Sequence, residues 1–153
     1  MTIQAALTAH GLSTRVREYP EGTRTAADAA AAIGCALGQI VKSLIFVAGS
    51  GTPLLVLVSG SNLVDEAKLE AFAGEPVRRA NANEVRGFTG QAIGGVAPVG
   101  HPSPIRTLID PDLLAHPTLW AAAGTPRTVF EIAPADLVRI TQATSAAVTM
   151  PAP

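Results

Sequence analysis

The sequence predicts a single α+β domain, and three observations carry that expectation. Strand-like and helix-like stretches alternate without the regular βαβ rhythm of a doubly wound sheet. Two apolar, β-rich runs, IVKSLIFV at 40–47 and LLVLVS at 54–59, are joined by the turn-forming AGSGTP, which predicts a central hairpin. The 153 residues, 48% hydrophobic and 15% charged, suffice for one buried core. Aromatic residues make up only 4%, so the interior has to be built from small aliphatic side chains, and any cavity in it is expected to be narrow.

In chain order, Ile3, Ala6, Leu7 and His10 recur at helical spacing with Gly11 after them, which predicts a helix over 2–10. RVREY at 15–19 alternates like a strand. Thr25 with Asp28 three positions on starts an Ala-rich helix that Gly34 ends. After the hairpin, Ser61 or Asn62 caps a helix running through Lys68 and Phe72 to Gly74, and Pro76 opens a short strand at Val77–Arg79. A short helix is expected near Asn83–Gly87. Residues 90–106 hold four glycines and three prolines without helical periodicity and read as an ordered loop, a setting that often carries function. TLID, TLWAAA and RTVFEI read as later strands, the last two joined by the turn Gly124–Pro126. Pro134 starts a final helix through Ile140. The segment 143–153 is expected to be a flexible tail on a domain of residues 1–142.

Charge and composition narrow the function classes. The net charge is −1, so no global positive field exists to hold a long nucleic acid, and DNA is not an expected partner. Arg78, Arg79 and Arg86 form a modest basic cluster, readable as an RNA contact or as a solvated face. No apolar run reaches the roughly 18 residues of a membrane span. The start MTIQAALTAHG lacks the pattern of a signal peptide, so a cytoplasmic location is the expectation. Cys35 is the single cysteine, which excludes an internal disulfide. His10, His101 and His116 are far apart and lack metal-ligand spacing, so no metal is expected, and with no P-loop and no G-x-G-x-x-G behind a strand no cofactor is expected either. His10 and His116 read as surface or core-edge residues, whereas His101, beside the glycine loop, is a candidate site-lining donor.

The chemistry rests on two signals. Lys42 interrupts an apolar strand, where a charge facing a sealed core is very costly, so it has to face a polar cavity or solvent. A snorkelling edge-strand lysine is the alternative. Gly94 and Gly95, with Pro98 and Gly100 behind them, let backbone N–H groups approach a ligand and stabilise a developing oxyanion; an ordinary tight turn is the alternative. Asn62, Asp65 and Lys68 are a weaker group, since Asp65 and Lys68 at i,i+3 also fit an exposed ion pair.

In this order and spacing, the pieces resemble the YbaK/EbsC family of trans-editing aminoacyl-tRNA deacylases, related to the insertion domain of bacterial prolyl-tRNA synthetases. The matching segments are Tyr19, QIVKSLIF at 39–46, LVLVSGSNLVDEAKL at 55–69, AIGGVAPVGHP at 92–102, TLID at 107–110 and WAAAGTPRTVFEIAPADL at 120–137. The resemblance implies a mixed, curved sheet surrounded by helices, no metal or other cofactor, and hydrolysis of the ester of a small amino acid on tRNA-Pro or a related tRNA. It implies catalytic roles for Lys42, Gly94 and Gly95 and substrate contacts from Tyr19, Asn62, Asp65, Pro98, His101, Ala122 and Gly124. Partners implied are the 3′ acceptor end of an aminoacyl-tRNA and a prolyl-tRNA synthetase. Ala122 and Val129 stand where the cysteine-removing branch has a serine and an aspartate, which argues against cysteine as the substrate. The rival readings are a non-catalytic module that binds tRNA or a synthetase, and a small-molecule-binding protein.

Overall fold

The computed structural model describes residues 2–153. Helix α1 (Ile3–Ala9) starts at Thr2, whose side chain accepts a hydrogen bond from the Ala5 N–H and so satisfies one of the first free amides. Strand β1 covers only Arg17–Glu18 of the five residues expected, because these two alone pair with β8. Helix α2 (Ala26–Ile33) is capped by Thr25 and closed by Gly34 in the left-handed conformation. A 3-10 turn at Leu37–Gln39 leads into β2 (Ile40–Ala48), which folds back on β3 (Pro53–Ser59) as the expected hairpin.

The expected helix start at Ser61 or Asn62 is corrected. Residues Asn62–Val64 form strand β4, and Asp65 caps α3 (Glu66–Ala73) by accepting from the Lys68 N–H. Strand β5 (Val77–Arg79) follows, then α4 (Ala82–Thr89), longer than expected because Asn81 and Glu84 form a reciprocal capping box. Beyond the glycine loop come β6 (Arg106–Ile109), a 3-10 segment at Pro111–Ala115, β7 (Leu119–Ala122), β8 (Thr128–Ile132) and α5 (Pro134–Thr141).

The segment 143–153, read from the sequence as a flexible tail, carries two paired strands. Strand β9 (Thr144–Ser145) pairs in parallel with β6, and β10 (Thr149–Pro151) pairs antiparallel with β4. Ala146 and Val148 between them are buried. Small apolar residues spaced by polar ones gave this segment a weak signal, yet two of them fill the second core, which is enough to hold it.

The eight-stranded sheet is mixed, in the order β1-β8-β7-β2-β3-β6-β9, with β5 also on β2. Strand β3 is central: Leu54 to Val58 are all 2% exposed or less, as expected for a strand covered on both faces. Alternation sends Leu55 and Leu57 into the main core with Leu7 of α1, Val85 of α4 and Leu137 of α5. Leu54, Val56 and Val58 enter a second core with Leu69 of α3 and Val148. A third, smaller cluster joins Ala29 of α2 to Ile40, Trp120 and Val129.

Truncation after Gln142 removes buried Val148 and Ala146 together with two strand pairings. We expect urea unfolding to register a loss of at least about 2 kcal/mol relative to the full chain; an unchanged midpoint would show that the tail is dispensable.

Candidate active site

Strand β2 has a neighbour along its whole length on one edge only. On that edge it pairs with β3 from Val41 to Val47. On the other, β7 reaches only Ile40 and Val41, and β5 only Phe46 to Ala48. Lys42, Ser43, Leu44 and Ile45 therefore lie in a split between β7 and β5. Gly60 donates to the Ile40 carbonyl (2.8 Å) and Ala48 to the Thr52 carbonyl (2.9 Å). Even-numbered residues thus turn their backbone groups toward β3, and Ser43 turns its N–H and C=O into the split. The Ile45 carbonyl, at the far end, accepts from the Ala80 N–H (3.0 Å).

A cavity of ≈ 350 Å³ occupies this split, at the small end of ligand sites. Val41, Ile45, Ala80, Val85 and Val96 give it an apolar floor, while Ala26, Ala29, Trp120, Ala122 and Val129 form the side under α2. The alanines of α2 leave this room, as the composition implied. Lys42, Arg24 and Arg79 also line it, and among the described residues no carboxylate or imidazole does. The electrostatic character is one of positive charge over a short apolar pocket.

Lys42 is half-buried and donates from Nζ to the backbone carbonyl of Asn62. Burial pushes its ammonium below the usual lysine range, Arg79 adds to that effect, and Asp110 opposes it. Asn62 is itself buried and does not line the cavity; its side-chain amide donates to Asp110 Oδ2 (2.9 Å) and Asp112 Oδ2 (2.8 Å).

The two glycines differ. Gly94 (φ +90°) lines the cavity against the Arg24 side chain, and its N–H has no partner among the described residues. Gly95 is buried and points elsewhere: its N–H donates to the Ala92 carbonyl (3.1 Å), and its carbonyl accepts from the Gly124 N–H (2.9 Å). A Cβ on Gly95 would sit 2.3 Å from the Thr125 backbone. Gly95 thus lets two loops touch, and Gly94, half-buried, is the glycine that lines the cavity.

Of the other residues singled out from the sequence, Ala122 and Arg79 line the cavity and the rest lie around it. Tyr19 packs on the Ile40, Trp120 and Val129 cluster. Asp65 is a helix cap. Pro98 is buried within the loop. His101 and Gly124 line a neighbouring surface groove, and His101 Nε2 bonds the Ala97 carbonyl (2.8 Å). In the basic cluster, Arg78 is held by Glu84 at 2.7 and 2.8 Å, which keeps that carboxyl down at about 2, and Arg86 is exposed on α4. Thr23, Arg24, Thr25, Ser43 and Trp120 are lining residues that the sequence reading missed. Arg24 precedes a helix start and resembles any solvated arginine in sequence; Ser43 was detectable only as the neighbour of Lys42. Among the described residues no three His, Cys, Asp or Glu side chains gather into a metal-binding group, and no helix is long and apolar enough to cross a membrane.

A mixed sheet split at an apolar strand, with a lysine and a glycine loop meeting in the split, defines an α+β domain with a cation-lined pocket. Residues 20–140 match the aminoacyl-tRNA editing domain, and the chain belongs to that family. It is 31% identical over 122 residues to the uncharacterized protein YwhH of Bacillus subtilis (strain 168), covering 80% of this chain and 78% of that protein. It is 38% identical over 93 residues to the proline--tRNA ligase of Xanthomonas campestris pv. campestris (strain 8004), covering 60% of this chain and 16% of that enzyme. The chain therefore spans about a sixth of the ligase. A crystal structure assigned provisionally as a trans-editing enzyme for prolyl tRNA synthetase superposes with a TM-score of 0.92 at 47% identity, covering 97% of this chain and 94% of that one.

Two measurements probe this geometry. Gly95→Ala is expected to cost about 1–3 kcal/mol by urea unfolding, because the new Cβ has to displace the Thr125 backbone. Burial holds His101 below the ordinary imidazole value of 6.5. The unfolded chain therefore binds its proton first, and the contribution of His101 to stability is present above that value and falls as pH drops through it. His101→Gln should flatten this part of the stability profile; an unaltered slope would assign it to other groups.

Proposed function

We propose that this chain hydrolyses the ester linking a small amino acid to the 3′ end of a transfer RNA, as a free-standing editing factor for tRNA-Pro or a related tRNA. The observation that carries this reading is the cavity in the β2 split, lined by three cations, a short apolar floor and Gly94, whose N–H has no partner among the described residues. The terminal phosphate is the natural partner of Arg24, Arg79 and Lys42. The ester carbonyl then lies toward the Gly94 N–H, which stabilises the oxyanion as water attacks. Gly95, with its N–H already used, is left out of that role and keeps the loop in place.

No lining side chain is a ready general base. The neighbouring ribose hydroxyl of the substrate, held close to the attacking water, can serve instead, and an activated ester demands less assistance than an amide. The amino-acid side chain enters among Val41, Ile45, Ala80, Val85 and Val96, where bulk limits its size. Such a pocket separates substrates that differ by one methylene by only about 1–3 kcal/mol. Family membership and the likeness to a structure assigned to trans-editing support the reading. The missing base favours one rival, a non-catalytic module that holds the acylated tRNA end, alone or with a prolyl-tRNA synthetase.

The test is deacylation of tRNAs carrying alanine, serine, threonine, cysteine or proline. Wild type is expected to release one or a few of the small ones, and Lys42→Ala to lose about 10- to 100-fold in kcat/KM, the worth of a charged hydrogen bond. Inactivity of folded wild type on every substrate, with synthetase added, would select the binding module. Val85→Ala enlarges the floor and should shift preference toward larger amino acids, read as a ratio of kcat/KM values.

A further inference from the structure

What steadies Lys42 lies behind the cavity. We propose that Asp110 is a positioning residue for Lys42, acting through Asn62, and that its carboxylate fixes where the ammonium sits. This rests on the reading of Lys42 as the functional cation of the site.

Asp110 is fully buried, and an ionised carboxylate there is tolerable only if its oxygens are occupied. They are. Oδ1 accepts from the Asp112 N–H (2.9 Å), which caps the 3-10 segment at Pro111–Ala115. Oδ2 accepts from the Ser59 N–H (3.1 Å) at the end of β3 and from the Asn62 side chain (2.9 Å). Capping requires only Oδ1. The bonds of Oδ2 instead pin the turn between β3 and β4 from both sides, at Ser59 and at Asn62.

The Asn62 amide has two N–H donors, and both are used, on Asp110 and on Asp112. With its side chain held, the Asn62 backbone has little freedom to turn, and its carbonyl is the acceptor for Lys42 Nζ. A lysine stem has four rotatable carbons, so a fixed acceptor is what confines the ammonium to one position. The charges divide in the same sense. Arg79 of β5 and Arg24 before α2 line the cavity with Lys42, whereas the carboxylates of Asp110 and Asp112 stand on the far side of Asn62. Asp110 therefore opposes burial and Arg79 and favours the protonated lysine.

The experiment is acetylation of Lys42 by acetic anhydride in the whole chain, followed by mass spectrometry from neutral to strongly alkaline pH. It compares wild type with Asp110→Asn and Asn62→Ala, beside the pH profile of deacylation. With the carboxylate charge gone, Lys42 in Asp110→Asn should deprotonate at lower pH and label about three- to tenfold faster at a fixed pH below its midpoint, since each pKa unit is tenfold in free amine. The alkaline limb of the deacylation profile should move down with it. Asn62→Ala, which releases the acceptor, should also speed labelling. Thermal melting identifies which variants fold, and Asn62→Ala decides alone if Asp110→Asn does not. Folded variants with wild-type labelling and a wild-type pH profile would overturn the proposal. Labelling is independent of turnover, so a wild type without deacylase activity would remove the functional reading and leave the positioning of Lys42 still measurable.

Discussion

Residues 42–45 of β2 have a strand on one side only, and the architecture of the site depends on that interruption. Unpaired backbone groups inside a protein are costly, so a split in a sheet persists only where its rims are held and its interior stays accessible to polar partners. Here the rims are held. The β7 ladder ends at Val41, the β5 ladder begins at Phe46, and the Ala80 amide ties the far corner to Ile45. The ladder to β3 runs unbroken through the gap, so the missing neighbour opens a cavity while the strand stays paired on its other edge.

Packing then gives the split its shape. The Ala-rich α2 covers one side with Ala26 and Ala29, and larger side chains there would fill the space. The glycine loop reaches the cavity because Gly95 lies against the Thr125 backbone, which leaves Gly94 as a lining residue. Charge is sorted in parallel: cations line the cavity, and the carboxylates of Asp110 and Asp112 sit one residue back, bonded through Asn62. A carboxylate within the cavity would neutralise its pull on an anion. Placed behind Asn62, Asp110 acts on Lys42 without lining the cavity.

Much of the fold was legible because its signals are local. The hairpin was readable from two β-rich runs around AGSGTP, α2 from Thr25 and Gly34, and α5 from Pro134. The start of α3 was misread since Asn62 and Asp65 are equally good caps in sequence, and only the pairing of β4 with β10 separates them. The tail was misread for the same reason, its strands being defined by partners far away in the chain. Within the site, Lys42 stood out as a charge in an apolar strand. Arg24 did not, and Arg79 was noticed only as one of a basic cluster with Arg78 and Arg86, because an arginine next to a helix start or at the end of a short strand looks solvated until a cavity is found beside it.

By itself the sequence determined an α+β domain, a lysine that could not enter a sealed core, and a glycine loop able to bring backbone close to a ligand. These follow from propensity, patterning and desolvation, which act over a few residues. The tertiary structure decided that Gly94 and not Gly95 faces the cavity, that Asp65 caps a helix, and that Asp110 stands behind Lys42. Such choices depend on which strands become neighbours and how far each ladder runs. That is set by the packing of the whole sheet, where residues distant in sequence compete for the same edge of β2.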